Sequence, residues 1–104
     1  MRLMTNEIKN RFLELGRQDI PNPIIVAKWF TPWADWTWYG IAYELEDDIC
    51  FGLVVGFETE LGYFDLKELE DIRGPGGLRI ERDLYWTERR LDKIHNALQP
   101  GSRL

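Results

Sequence analysis

The chain has 104 residues, 44% of them hydrophobic and 30% charged, which is the composition of one folded domain and not of a disordered or fibrous chain. Its 13 basic and 18 acidic residues give a net charge of −5, a sign that disfavours general binding to the nucleic-acid backbone. The single cysteine excludes an internal disulfide, and no apolar run approaches the ~20 residues of a membrane span. We therefore expect a cytoplasmic protein that does not enter a membrane.

The first predicted element is a helix over residues 5–15. Its apolar residues recur at helical spacing and are Met4, Ile8, Phe12 and Leu15. Thr5 or Asn6 can cap the start of this helix, and Gly16 is typical of a helix end.

A strand is predicted next, over residues 24–30. Pro21 and Pro23 stiffen the segment before it, because each ring fixes φ and removes a backbone donor. The strand itself is β-branched and aromatic, and Pro32 ends it because proline has no amide for a ladder.

Residues 36–45 and 50–57 predict two strands of an antiparallel hairpin. If Leu45 lies opposite Cys50, Trp38 shares one face with Phe51 and Leu53, while Tyr39 and Tyr43 share the other. Both faces are then apolar, so the sheet must be covered on both sides or leave a patch exposed.

The second half of the chain predicts a short strand over residues 61–64 and then a helix capped by Asp65 and Glu68. The glycine and proline cluster at residues 74–77 ends this helix region. Alternation over residues 78–86 predicts a further strand. A last helix follows, capped by Thr87, with an inward stripe of Leu91, Ile94 and Leu98.

The fold prediction is therefore a single α+β domain over residues 1–98, with a mainly antiparallel sheet of four to five strands and three helices. Residues 99–104 are expected to form a mobile C-terminal tail.

Acidic residues are concentrated in the middle of the chain, where residues 41–71 hold ten acidic side chains against one lysine. They can simply keep an aromatic sheet soluble, or they can form a docking surface for a protein with a basic surface. The hypothesised contact residues in this segment are Glu44, Glu46, Asp47, Asp48, Glu58 and Glu60. Acidic mimicry of nucleic acid, directed at a host nucleic-acid-binding protein, is an alternative use of the same residues.

Four of the five tryptophans fall within ten residues: Trp29, Trp33, Trp36 and Trp38. Alternate members of this set are expected to pack the core. Trp33 differs because it lies in a predicted loop beside Pro32, where a large indole is harder to bury and is typical of an interface anchor. Trp33 therefore joins the hypothesised contact residues.

Enzymatic chemistry is weakly signalled, and neither a catalytic residue nor a cofactor is predicted. A divalent-metal hydrolase using Glu44, Glu60 and Asp65 stays open as an alternative, although no Asp-x-Asp pair or histidine-rich set accompanies these acids. His95 and Cys50 are expected to be a surface histidine and a strand hydrophobe.

Basic residues near the C-terminus suggest two further arrangements. Arg82 lies between Glu81 and Asp83 and is expected to pair with neighbouring carboxylates in a polar network. Nucleic-acid binding, which the net charge makes an unfavoured alternative, would use four arginines: Arg79, Arg82, Arg89 and Arg90.

Several segments resemble the bacterial domain family of unknown function DUF2958. They are Phe-Thr-Pro at 30–32, Phe-Gly-Leu at 51–53, Glu-Thr-Glu-Leu-Gly-Tyr at 58–63, Arg-Gly-Pro at 73–75 and Gly-Leu-Arg-Ile-Glu-Arg-Asp-Leu at 77–84. The resemblance covers about residues 3–86 and does not reach the last predicted helix. It implies a short cytoplasmic protein of the kind carried by plasmids, integrated elements or phage, and it assigns no role to any residue.

Taken together, the sequence predicts a small accessory or regulatory protein-interaction module, and it favours a binding protein over an enzyme. The sequence leaves homodimer formation open.

Overall fold

The computed structural model describes residues 1–97, and the side chains of residues 1–94, as one α+β domain. Its helices are α1 (Asn6–Leu15), α2 (Leu66–Asp71) and α3 (Leu91–Ala97), with a 3-10 turn at Pro75–Gly77. Its strands are β1 (Ile24–Ile25), β2 (Ala27–Phe30), β3 (Thr37–Glu44), β4 (Ile49–Val55), β5 (Thr59–Phe64), β6 (Glu81–Arg82) and β7 (Arg89–Arg90). The predicted tail, 99–104, and the predicted inward Leu98 lie outside the described residues.

Five strands form the main sheet in the order β5-β4-β3-β2-β6, and every neighbouring pair is antiparallel. β1 and β7 form a separate two-stranded antiparallel sheet. The predicted fold class, α+β with a mainly antiparallel sheet of up to five strands and three helices, is confirmed. Successive strands from β2 to β5 are neighbours, so each turn lies at the opposite end of the sheet from the turn before it.

The predicted register of the β3–β4 hairpin is wrong. Tyr43, and not Leu45, lies opposite Cys50, and the register shifts between Gly40 and Ala42. Ile41 is the extra residue of this bulge, so Ile41 and Ala42 both contribute to the same core cluster. Alternation alone cannot locate such an insertion, because every position after it changes face.

Apolar side chains cover both faces of the main sheet, as the sequence predicts. The face that carries α1 and α2, here called the helix face, includes Phe12, Trp29, Trp38, Cys50 and Phe64. The opposite face, here called the far face, packs Tyr39, Ile41 and Leu53 against Leu91 and Ile94 of α3. The sheet is therefore the middle layer between two separate clusters.

Helix α1 begins and ends as the sequence predicts. The Thr5 hydroxyl accepts a hydrogen bond from the Ile8 amide at 3.2 Å, and Gly16 follows the helix with φ 66°, where glycine has no steric penalty. Phe12 carries the packing of the helix and is fully buried. Trp29 faces it from β2, and the indole Nε1 donates to the Leu3 carbonyl at 2.7 Å.

The strands predicted around residues 24–30 and 78–86 are shorter in the structure. The first divides at Val26, whose amide bonds to Gly40, into β1 and β2. In the second, only Glu81 and Arg82 form a strand. Ile80 is buried, whereas Leu78 and Leu84 of the same predicted face are exposed, so the predicted alternation fails there.

Candidate interaction surface

The predicted contact residues lie at opposite ends of the main sheet. Glu44, Glu46, Asp47 and Asp48 surround the β3–β4 turn, and Glu58 and Glu60 belong to the β4–β5 turn and the start of β5. The seven residues of β4 separate the two groups, a length of roughly 23 Å for an extended strand. The structure therefore does not bring the six acids into one region.

At the β3–β4 end, Asp48 is already engaged within the chain. Its carboxylate accepts a hydrogen bond from the Tyr43 hydroxyl at 2.7 Å and forms an ion pair with Lys67 Nζ at 2.8 Å. The hydrogen bonds from Lys67 and Tyr43 lower the pKa of Asp48. Asp48 also adopts φ 52°, a left-handed conformation that aspartate tolerates better than most residues. Its role here is to fix the turn.

A groove of about 680 Å³ opens beside this turn, between the starts of α1 and α2. Tyr43, Asp48, Cys50 and Lys67 line it, together with Lys9, whose ammonium lies 5.7 Å from the centre of the Tyr43 ring. Burial raises the pKa of the Cys50 thiol to about 12, and burial followed by the Asp48 hydrogen bond raises that of Tyr43 to about 12. Both groups are neutral at pH 7, so neither is an activated nucleophile or base.

At the β4–β5 end, Trp33 is half-buried and packs against the helix-face cluster. Its indole lies directly on the backbone of Gly74, where an added Cβ would come within 2.4 Å of the ring. Glycine is required at that position because any side chain would meet the indole. Trp33 therefore offers a contact surface only with the part of its ring that this packing leaves open.

Phe57 is the aromatic side chain that projects from this end. The apolar pattern of the sequence predicts it inside a strand, but the structure has it in a turn. β4 ends at Val55, so Phe57 stands at the middle of the turn before β5, with 96% of its surface exposed. Its ring meets Trp36 edge to face at a centroid distance of 5.5 Å. Trp36 in turn stacks on the buried Trp38 at 5.9 Å. The Phe57 ring therefore combines one edge-to-face aromatic contact with almost complete exposure.

Gly56 allows this arrangement. A Cβ at Gly56 would lie 2.4 Å from the Trp36 ring, so the indole can approach the turn only because residue 56 has no side chain. The Gly-Phe-Glu run at residues 56–58, where the predicted strand over residues 50–57 ends, is the sequence signal that could have identified an exposed aromatic at a turn.

Glu58, the last residue of this turn, and Glu60, the second residue of β5, are both exposed. Their oxygens form no ion pair with a basic side chain of the residues that the structure describes, whereas Asp48 does. We call Trp36, Phe57, Glu58 and Glu60 the aromatic tip. It combines unneutralised negative charge with a supported, exposed ring.

Arg82, Glu81 and Asp83 do not form a network among themselves. The Arg82 guanidinium donates to the Arg2 carbonyl at 2.7 Å. The Asp83 carboxylate accepts from the Tyr85 amide at 2.9 Å and lies 4.0 Å from Lys28 Nζ. These contacts attach β6 to the N-terminal residues and to β2.

The acids proposed for a metal site are also separated. Glu44 pairs with Ile49 at one end of β4, Glu60 pairs with Val54 near the other, and Asp65 caps α2 by accepting from the Lys67 amide. Within residues 1–94, no group of three or more histidine, cysteine, aspartate or glutamate side chains is placed to hold a metal ion.

The geometry defines the molecule as a small α+β domain with a five-stranded antiparallel sheet and an aromatic tip at one end. The chain belongs to the family described as "Protein of unknown function (DUF2958)", whose family model matches residues 3–98 and so includes α3, beyond the resemblance seen in the sequence. Comparison with curated proteins gives no match, and comparison with solved structures gives none either. Among the described residues, no helix has the length and apolarity to cross a membrane.

Proposed function

We propose that this protein is a small accessory protein-interaction module, and that its aromatic tip binds a partner protein with a basic surface. The observation that carries the proposal is Phe57, which is 96% exposed, meets Trp36 edge to face and is followed by Glu58 and Glu60. These two carboxylates form no ion pair with the described residues. A rigid aromatic ring loses little conformational freedom on binding and is typical of interface hot spots. The carboxylates of Glu58 and Glu60 add partner selection and a faster encounter with a basic surface.

The proposal assigns the protein to the bacterial cytoplasm and to the accessory functions of a mobile element. The free, buried thiol of Cys50 is compatible with this compartment. The two alternative functions gain less support. Mimicry of nucleic acid needs a continuous row of carboxylates, and a hydrolase needs converging ones, whereas β4 separates the two acidic groups.

The test is photo-crosslinking from position 57 in the native host, with position 85 as the matched control. Tyr85 is 93% exposed, almost as much as Phe57, and it lies in the segment between β6 and β7, outside the aromatic tip. We expect a basic protein to crosslink from position 57 and not from position 85. Crosslinking of the same proteins from both positions would show that exposure alone explains the capture.

Measuring the affinity of variants for the crosslinked protein then separates specific binding from nonspecific association. F57A should weaken binding by at least about 30-fold, the loss of a hot spot of ~2 kcal/mol, while Y85A leaves it unchanged. E58K, which reverses the charge at position 58, should weaken binding, and the loss of affinity should be larger at low salt than at high salt. Binding that survives F57A would refute the proposal.

A further inference from the structure

Strand β5 is the edge of the main sheet, and half of its backbone groups have no partner within the sheet. The Gly56 amide bonds to the Glu58 carbonyl, so residues 56 and 58 form a hydrogen-bonded pair. Such pairs alternate with non-hydrogen-bonded pairs along an antiparallel ladder. The backbone N–H and C=O groups of Glu60, Gly62 and Phe64 therefore point toward β4. The N–H and C=O groups of Thr59, Leu61 and Tyr63 therefore point outward, a row that can pair with another strand.

The side chains along this edge are apolar and exposed. Leu61 is 51% exposed and Tyr63 is 58% exposed, both on the far face of the sheet. Tyr63 packs edge to face on Phe51 at a centroid distance of 5.1 Å. The outward backbone groups and the exposed apolar side chains thus belong to the same residues, a combination typical of an edge that is covered in the working protein.

Within the part of the chain that the structure describes, no contact explains why residue 62 is glycine. A Cβ there would meet no atom within 4 Å, and its φ does not require glycine. Glycine inside a strand is unfavourable and often marks the close approach of another backbone or ligand. The other strand glycines differ, because a Cβ at Gly40 or Gly52 would collide with neighbouring atoms.

One pairing of β5 with a second copy of itself uses all of these features. When Leu61 lies opposite Leu61 of the second copy, Thr59 lies opposite Tyr63, and every outward backbone group finds a partner. In the same register Glu60 lies opposite Gly62, so each carboxylate lies over an empty position and not over another acid. A two-fold axis at Glu60, which slides the two strands by two residues, would place Glu60 opposite Glu60, which like charges disfavour.

We propose that the protein forms a symmetric homodimer in which β5 pairs antiparallel with β5 of a second copy, around a two-fold axis at Leu61. The interface consists of one strand pair and its flanking apolar side chains, so it falls at the small end of specific interfaces, and the dimer is weak. This proposal goes beyond the proposed function: it does not use Phe57, although Glu60 belongs to both surfaces.

The experiment is a charge series at position 62, measured by sedimentation equilibrium from about 10 µM to about 1 mM protein, a range suited to small interfaces. G62E places an acid opposite Glu60 twice per dimer, and G62K places a lysine there instead. Because a Cβ at position 62 would meet no described atom of its own copy within 4 Å, we expect both variants to fold. We expect the dimer dissociation constant to rise roughly 2- to 30-fold in G62E and to stay equal or fall in G62K.

The double variant E60K/G62E restores opposite charges and should restore dimerisation toward the G62K value. Amide exchange supplies a second readout: the Leu61 and Tyr63 amides should gain protection as the protein concentration rises. Wild-type protein that stays monomeric at the highest concentration overturns the proposal, and so does equal dimerisation of G62E and G62K. F57A is the control that separates the two proposals, since it should leave the dimer unchanged.

Discussion

Gly40 of β3 lies directly beneath the Phe12 ring of α1, and replacing this glycine with alanine tests the packing directly. A Cβ at this position would lie 2.8 Å from Phe12 Cζ and 2.9 Å from Trp29 Cζ3. Neither ring can retreat freely: both side chains are fully buried, and the Trp29 indole is hydrogen-bonded to the Leu3 carbonyl. Overpacking of this kind costs about 1–3 kcal/mol.

Alanine also recovers part of the entropy that glycine loses in a strand, about 0.5–1 kcal/mol. We therefore expect G40A to lower the free energy of unfolding by about 1–2 kcal/mol and the melting temperature by roughly 5–15 °C. The measurement is urea unfolding followed by tryptophan fluorescence, with the slope of the transition unchanged.

G62A is the matched control, because it makes the same substitution on the same face of the sheet where no atom lies within 4 Å of the new methyl group. It should be neutral or up to about 1 kcal/mol stabilising. A second variant, G40A/F12L, removes ring atoms from the collision. G40A should therefore lower the free energy of unfolding less in the F12L background than in the wild type. If G40A is as stable as G62A, the close approach of β3 and α1 does not limit packing, and the reasoning fails.

Three further predictions concern single buried or hydrogen-bonded groups. D48N keeps a residue that tolerates φ 52° but removes the charge that Tyr43 and Lys67 bind. Because these partners lower the pKa of Asp48, the wild type should be more stable than D48N above about pH 4 and should lose that advantage as the pH falls through the lowered pKa. A stability difference that does not vary between pH 7 and pH 2 would contradict this prediction. Cys50 is 1% exposed with a pKa near 12, so a thiol-specific reagent at pH 8 should react only as fast as the protein opens, and rapid stoichiometric labelling of the native state would refute its burial. W29F removes the donor to the Leu3 carbonyl and should cost about 1–3 kcal/mol in urea unfolding, whereas an unchanged midpoint would show that this hydrogen bond contributes little.

Local signals in the sequence were sufficient for the elements that depend on neighbouring residues. The spacing of Phe12 and its companions, with Thr5 before them and Gly16 after them, predicted α1 closely. Asp65 was correctly identified as the cap of α2, although its side chain accepts from the Lys67 amide and not from Glu68. These features need no knowledge of tertiary contacts.

Features set by tertiary contacts could not be predicted in the same way. The bulge at Ile41 changes the face of every later residue of β3, and nothing in the alternation of the sequence marks it. Strands β1 and β7 have two residues each, which is too short for an alternating pattern. They also pair between distant parts of the chain, so neighbouring residues do not indicate the pairing.

The candidate site shows the same division. Charge density alone suggested one acidic region, although two consecutive turns of a meander must lie at opposite ends of the strand between them, here β4. The projection of Phe57 depends on β4 ending at Val55, two residues earlier than the apolar pattern indicates. Strand ends are set by the partner strands, which a single sequence does not show.

The stack of Trp36 on Trp38 gives the molecule an optical reporter of its own. Two indoles at 5.9 Å and 26° are close enough for their electronic transitions to couple, so their combined circular dichroism depends on the angle between the rings. Trp29 is fully enclosed, so its share of the fluorescence of the five tryptophans follows the core instead. One unlabelled sample can therefore distinguish a ligand that tilts the rings beneath Phe57 from a perturbation that loosens the interior.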